Sequence, residues 1–287
     1  MSSASGRSGA SSPRKQLAVM ALSSHGVETH AMSDPSGLPP SLADMRTKLL
    51  QFSCGRGNLG ENGLESIQDE TAARALHPDM AAIYEDKEFC CSARRDKLGL
   101  TLSPEDVVYI LDSSASIIPD YRIRFAPDKK IDFCVYLDPH HDPNNANIAS
   151  TVDTFRSRLP GLSINPTDDL SLLSNPIAIP IETKRPGEGL DTANFQVATF
   201  LTAHLTLLQR LVDAGASVPG GDGEKAPSVD DLGFLPGLIV QGNRWNFIAA
   251  SRQDSRIVIW SETSLGSTGD IFDIYQICIV AITAPMY

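Results

Sequence analysis

The apolar and polar positions of the chain change rhythm along its length, and the rhythm predicts most of its elements. Residues 177–183 read as a strand emerging from a core, an almost wholly apolar run over 177–181 followed by Glu182 and Thr183. Residues 131–137 are rich in β-branched and aromatic side chains, and shorter strand-like segments fit 122–125, 237–241, 245–250 and 256–260. Helical spacing predicts a segment over 41–52, with Leu42, Met45, Leu49 and Leu50 on one face. A second helix is predicted from Ser103 to Ile118: Ser103 reads as N-cap, Pro104 lies in the first turn, and Pro119 stops it. The longest predicted helix covers 191–214, with Gly215 just past its end as the C′ residue. Its apolar residues, among them Phe195, Phe200, Leu205 and Leu211, surround most of the circumference, so it is a buried helix of a layered domain. A last helix fits 270–281, and the polar stretch 140–147 opens a long excursion that returns at Ile177. From Ser103 the order is α, β, β, β, α, β, β, β, α, which suggests an α/β sandwich with a mixed sheet.

Upstream of residue 98 the pattern weakens. Ten of the first 40 residues are Ser, and the stretch 1–40 is expected to be a disordered Ser/Gly/Pro-rich arm. Residues 41–97 are expected to be a partly helical, poorly ordered extension, with one further helical piece around 69–84, and 98–287 to be the main domain. At 41% hydrophobic and 21% charged residues the chain has enough apolar material for a packed core. Its net charge of −11 argues against a protein that coats polyanions generally, but leaves room for a local basic groove. The five cysteines contain no C-x-x-C pair, so neither a zinc site nor a disulfide scaffold is expected, and reduced thiols fit an intracellular compartment. No run approaches a membrane span, and the apolar run 17–22 is too short for a secretory core.

Several tempting motifs lack their context. The G-x-G-x-x-G within 54–60 has no strand before it and no apolar helix after it, so a nucleotide cofactor is not expected. His140, His141 and Asp142 sit among prolines and asparagines that read as a turn, and the adjacent Cys90 and Cys91 diverge too much to share a tetrahedral metal.

One spacing carries chemistry. Glu182 and Lys184 lie two apart in a strand and so share a face, with Thr183 on the other. If the 131–137 strand pairs with this one, Asp132 joins them, giving two carboxylates and one ammonium at a sheet edge. Two hard oxygen ligands are what Mg²⁺ takes from protein, with water and phosphate oxygens filling its other positions. A lysine beside that cation orients or deprotonates an attacking water and offsets charge developing on phosphorus. The plainer alternative is an ion pair on a strand. Its position at the end of an apolar run weighs against that, since charge leaving a core is costly unless paired or used.

The segments "IDFCVYL", "IAIPIETKRP", "FQVATFLTAHLTLLQ" and "LPGLIVQGNRWNFIAA", taken in this order, resemble the fungal branch of the PD-(D/E)XK nuclease-like superfamily, over roughly 98–281. The resemblance implies a restriction-endonuclease-like three-layer sandwich, a central mixed sheet flanked by helices. It also implies Mg²⁺- or Mn²⁺-dependent hydrolysis of nucleic-acid phosphodiesters. Residue by residue, it implies that Asp132 and Glu182 bind the metal, that Lys184 is the catalytic lysine, and that Gln196 on the long helix steadies the site. An intracellular location is expected, and a nuclear one is suggested by the fold alone.

The chain departs from the family in one respect. Family members usually place a helix with an acidic residue before the Asp strand, and here Ile118 to Tyr121 leads almost directly into Arg122 and Lys130. The first acidic-motif helix is therefore expected to be missing, which leaves open a degenerate scaffold that binds nucleic acid or protein without cutting. Arg122, Arg124, Lys129, Lys130 and Arg185 gather positive charge near the site, either as a phosphate-tracking stripe or as solvated strand ends. Trp245 is expected to be a core aromatic rather than a base-stacking platform, and His204 a satisfied interior histidine rather than a proton shuttle.

Overall fold

The apolar runs assemble as one seven-stranded mixed sheet. The computed structural model describes residues 26–53, 107–110, 116–122, 131–139, 147–216, 228–253 and 256–270, with isolated positions elsewhere. In chain order the elements are β1 (Val27–Ala31), α1 (Pro40–Ser53), β2 (Val107–Ile110), β3 (Phe133–Leu137), α2 (Asn147–Arg156), β4 (Ile177–Lys184), α3 (Leu190–Ala216), β5 (Leu235–Gln241), β6 (Arg244–Gln253) and β7 (Arg256–Ser267). The strand order is β1-β7-β6-β5-β4-β3-β2. β1 runs parallel to β7 and β4 parallel to β5, and the remaining pairs are antiparallel.

Period-two alternation explains how one sheet carries two cores. On β6, Phe247 and Ala249 face α1, where they meet Leu42, Met45 and Leu49, while Ile248 and Ala250 face α3 and its Phe195, Val197 and Leu201. The product is three layers, α1 below the sheet and α3 above it, as the α/β sandwich reading expects. Close approach is built in at Gly237 on β5, where a Cβ would stand 2.7 Å from Val197 Cγ1 of α3. The β5–β6 hairpin turns at Gly242, with φ of 62°, in a two-residue loop with glycine first.

The structure corrects several expectations. Val107–Ile110 is a strand rather than part of a helix from Ser103: its backbone pairs with β3 over four residues, and this long-range pairing outweighs the local capping signal. Residues 103–106 and 111–115 lie outside the described residues, as do 69–84, 123–125, and the motifs at 54–60, 90–91 and 140–142. Arg122 is extended but belongs to no strand; a 3-10 turn, Pro119–Tyr121, precedes it. Among the described residues no α-helix lies between β2 and β3. Residues 27–31, expected within a disordered arm, form β1 and pair with β7, and α1, expected in a poorly ordered extension, buries three side chains in the core. The long helix continues through Gly215 to Ala216 instead of ending before it. The excursion before β4 holds a helix of its own, α2, none of whose residues is buried. No helix among the described residues is long and apolar enough to cross a membrane.

The return from that excursion is fastened by one side chain. Asn165 is fully buried; its Nδ2 donates to the carbonyls of Leu172 and Asn175, the latter at 2.9 Å, and its Oδ1 accepts from Ile177 N at 2.7 Å. Asn165 thereby sets where β4 begins. Removing the amide leaves the buried Ile177 N–H without its acceptor and takes one donor each from the carbonyls of Leu172, which also accepts from Asn175 N, and Asn175. Asn165→Ala is accordingly expected to lower stability by about 1–3 kcal/mol in chemical denaturation, with no change in m-value.

His204 of α3 is buried beside Phe200, with ring centroids 6.3 Å apart. Contrary to expectation it is not satisfied, since Nδ1 has no hydrogen-bond partner. Burial pushes its pKa down from 6.5 to about 4. The folded state thus resists a proton that the unfolded chain accepts, so stability contributed here is complete above pH 6.5 and is lost as pH falls toward 4. The slope of that loss is at most about 1.4 kcal/mol per pH unit. Denaturation midpoints of His204→Phe between pH 4 and 6.5 are expected to fall less steeply than those of the wild type.

Candidate active site at the end of strand β4

β4 carries an apolar stem and a charged tip. In register with β5, Ile181 stands beside Leu238 and Glu182 beside Ile239. Leu238 belongs to the core on the α1 side and Ile239 to the core under α3, so alternation places Glu182 and Lys184 on the α3 face. The Glu182 side chain is 0% exposed and that of Lys184 19% exposed. Lys184 Nζ donates to Glu182 Oε1, and also to the Thr183 carbonyl at 3.1 Å. A carboxylate removed this far from water is tolerable only with an ammonium or a metal against it.

Asp132 approaches the end of β4 from the start of β3. The antiparallel register begins with Phe133 beside Ile181, and Asp132 is the residue just before β3, at a bend. Asp132 N donates to Ile181 O at 3.2 Å. Its Oδ2 accepts from Thr183 N at 2.8 Å and from Thr183 Oγ1 at 2.6 Å, so the carboxylate takes up a backbone donor of β4 where the ladder ends. Glu182 and Lys184 are therefore in direct contact, and Asp132 is held by the residue between them.

The turn after β4 is secured by β5. Lys184 O accepts from Gly242 N at 2.9 Å, and Gln241 Nε2 donates to Glu188 O at 2.6 Å. A side chain at Gly242 would stand 2.7 Å from Pro186 Cγ. The "VQG" stretch thus fixes the chain leaving the site. Gln196 is half-buried on α3, which packs over β4 and β5. Trp245 packs partly buried against the α1-side core, as expected of a core aromatic. Of the five basic residues expected to track phosphates, Arg122 donates from Nε to Ile117 O at 2.7 Å, and Arg185 is exposed just past β4. Arg124, Lys129 and Lys130 lie outside the described residues.

Thr183 has no signal in the sequence that marks it. Alternation places it away from Glu182 and Lys184, and nothing local announces a contact with a residue 51 positions earlier. The donor set fits a hard divalent cation: two carboxylates on adjacent strand ends match the one or two that Mg²⁺ commonly takes beside substrate phosphates. It does not match a site made wholly of protein ligands, since among the described residues no three His, Cys, Asp or Glu side chains cluster to hold a metal.

A family model described as PD-(D/E)XK nuclease superfamily matches residues 81–281, which contain β2 through β7 and all the residues just described. The chain belongs to that superfamily. β1 and α1 precede the matched stretch, yet both belong to the sheet and its core. No curated protein and no solved structure gives a significant match.

The ion pair makes a testable demand on folding. Lys184→Met leaves the Glu182 carboxylate buried without its ammonium and is expected to destabilise the protein by about 3 kcal/mol. Glu182→Gln combined with Lys184→Met is expected to recover most of that loss. A denaturation series on the single and double variants reads the coupling.

Proposed function

We propose that this member of the PD-(D/E)XK nuclease superfamily hydrolyses nucleic-acid phosphodiesters with Mg²⁺ or Mn²⁺, using the group of charges at the end of β4. The observation that carries the reading is the wholly buried Glu182 carboxylate paired with the partly exposed Lys184 ammonium at a strand end. Glu182 and Asp132 would hold the cation, which when bound supplies positive charge to the scissile phosphate and acidifies water. Lys184 has the reach for two tasks. Anchored by Glu182 Oε1 and the Thr183 carbonyl, its ammonium is fixed at one point yet open to solvent on one side. There it can donate a hydrogen bond to the attacking water, orienting its lone pair toward phosphorus, and offset the negative charge that accumulates in the transition state. Burial helps, because a fixed charge in a poorly hydrated site acts more strongly than one in bulk water. Gln196 would support the constellation from α3, and Arg122 and Arg185 would meet flanking phosphates.

A second reading has its own support. Only two acids stand in the described site, and the chain carries −11 overall, both of which favour a nuclease-like scaffold that binds nucleic acid or protein without cutting.

Incubating the purified chain with single- and double-stranded DNA and RNA in millimolar Mg²⁺ or Mn²⁺ separates the two. Cleavage that falls by about a hundredfold or more in Lys184→Ala is expected. Cleavage undiminished in that variant removes the lysine from the mechanism, and retention of oligonucleotide with no cleavage and no heat of metal binding selects the scaffold reading.

A further inference from the structure

We infer that Thr183, the middle residue of the Glu-Thr-Lys sequence, is a positioning residue that presents Asp132 to the cation; this rests on the metal-dependent reading of the site given above. Asp132 lies at the edge of β3, where the ladder with β4 is ending, and a carboxylate there has rotamers to choose from. Two donors from one residue remove that choice. Thr183 N and Thr183 Oγ1 both reach Oδ2, at 2.8 and 2.6 Å, which leaves Oδ1 as the oxygen available to a cation. The hydroxyl contact has the length of a charge-assisted O–H···O⁻ bond, the stronger kind. Threonine suits the task in two ways. Its β-branched χ1 is stiff, so the hydroxyl is held in place rather than found by search, and its amide donor is fixed by the strand itself.

The same residue touches the other half of the site, because its carbonyl accepts from Lys184 Nζ at 3.1 Å. One residue therefore sets the orientation of Asp132 through its amide and hydroxyl and of the lysine through its carbonyl. Groups that orient metal ligands in this way commonly alter metal affinity by 10–100-fold when removed. Other features of the molecule do not reach as far. His204 is buried with an unpaired nitrogen but lies two turns along α3 from Gln196, packed against Phe200. The helix α2 has no buried residue, and nothing in the structure indicates what would cover its apolar face.

The test measures metal binding, not turnover. Mn²⁺ alone is titrated calorimetrically into the full chain, as wild type, Thr183→Val, Thr183→Ser, Asp132→Asn and the double variant Thr183→Val/Asp132→Asn. Valine keeps the shape, the branch and the backbone donor and deletes the hydroxyl alone. Thr183→Ala serves as a second truncation, so that a folding failure of either does not decide the matter. The expected result is a Kd raised about tenfold in Thr183→Val, restored in Thr183→Ser, and no further change when Thr183→Val is added to Asp132→Asn. A role confined to folding would shift melting temperatures and leave the serine and valine variants with equal affinity. Equal affinity in Thr183→Val and wild type overturns the inference, as does an effect of valine that persists in Asp132→Asn. Wild type that takes up no Mn²⁺ at millimolar concentration overturns the metal-dependent reading and this inference with it, and that failure is told apart because it appears before any substitution is made.

Discussion

A carboxylate with no exposure to water, pressed against an ammonium at the end of a strand, is the constraint around which the described residues are arranged. Moving a carboxylate into a protein interior costs several kcal/mol even after relaxation, and a partner only repays this when its geometry is held. The surroundings supply the hold. β4 is clamped between β3 and β5, α3 lies over the face that Glu182 occupies, and the chain beyond Lys184 is tied to Gln241 and Gly242. A hydrophobic pair at 182 and 184 would satisfy the same packing at less cost.

The layered architecture serves that purpose in a second way. Because the middle stretches of β5, β6 and β7 put apolar side chains on both faces, the sheet is covered on both sides. The parallel β4–β5 pair and the antiparallel β3–β4 pair differ in chain direction, and their meeting brings Asp132 and Glu182 to the same end of the sheet. Long-range hydrogen bonds then do the fine placement: Asn165 fixes the start of β4 and Thr183 fixes Asp132 at its end. β1 and α1 extend the domain beyond the stretch matched by the superfamily, with β1 closing one edge and α1 forming the layer opposite α3.

How much of this could be read in advance depends on the reach of each interaction. The strands at 131–137 and 177–183 and the long helix were legible because dense runs of β-branched or helix-periodic apolar residues leave few alternatives. β4 and α3 emerged within a few residues of their expected ends. At 103–118 the reading went wrong for an opposite reason. Ser103, Pro104 and Asp106 make a good local helix start, but Val107–Ile110 gains more from four rungs on β3 than from a helix. β1 was hidden by composition, since Val-Glu-Thr-His-Ala shows no clean alternation and follows a serine-rich stretch. α2 was hidden because it buries nothing, so its polar residues outweigh the spacing of Ile148, Val152 and Phe155.

Of the site, the sequence by itself determined that Glu182 and Lys184 share a face, because period-two alternation is a property of any strand and needs no partner. It also determined that their charges stand at the end of an apolar stem. Only the tertiary structure decided that Glu182 is fully buried and that Thr183, next to it, carries the bonds to Asp132. Register between strands separated by some fifty residues is set by the packing of whole faces rather than by any local motif, so those contacts exist only once the sheet has closed.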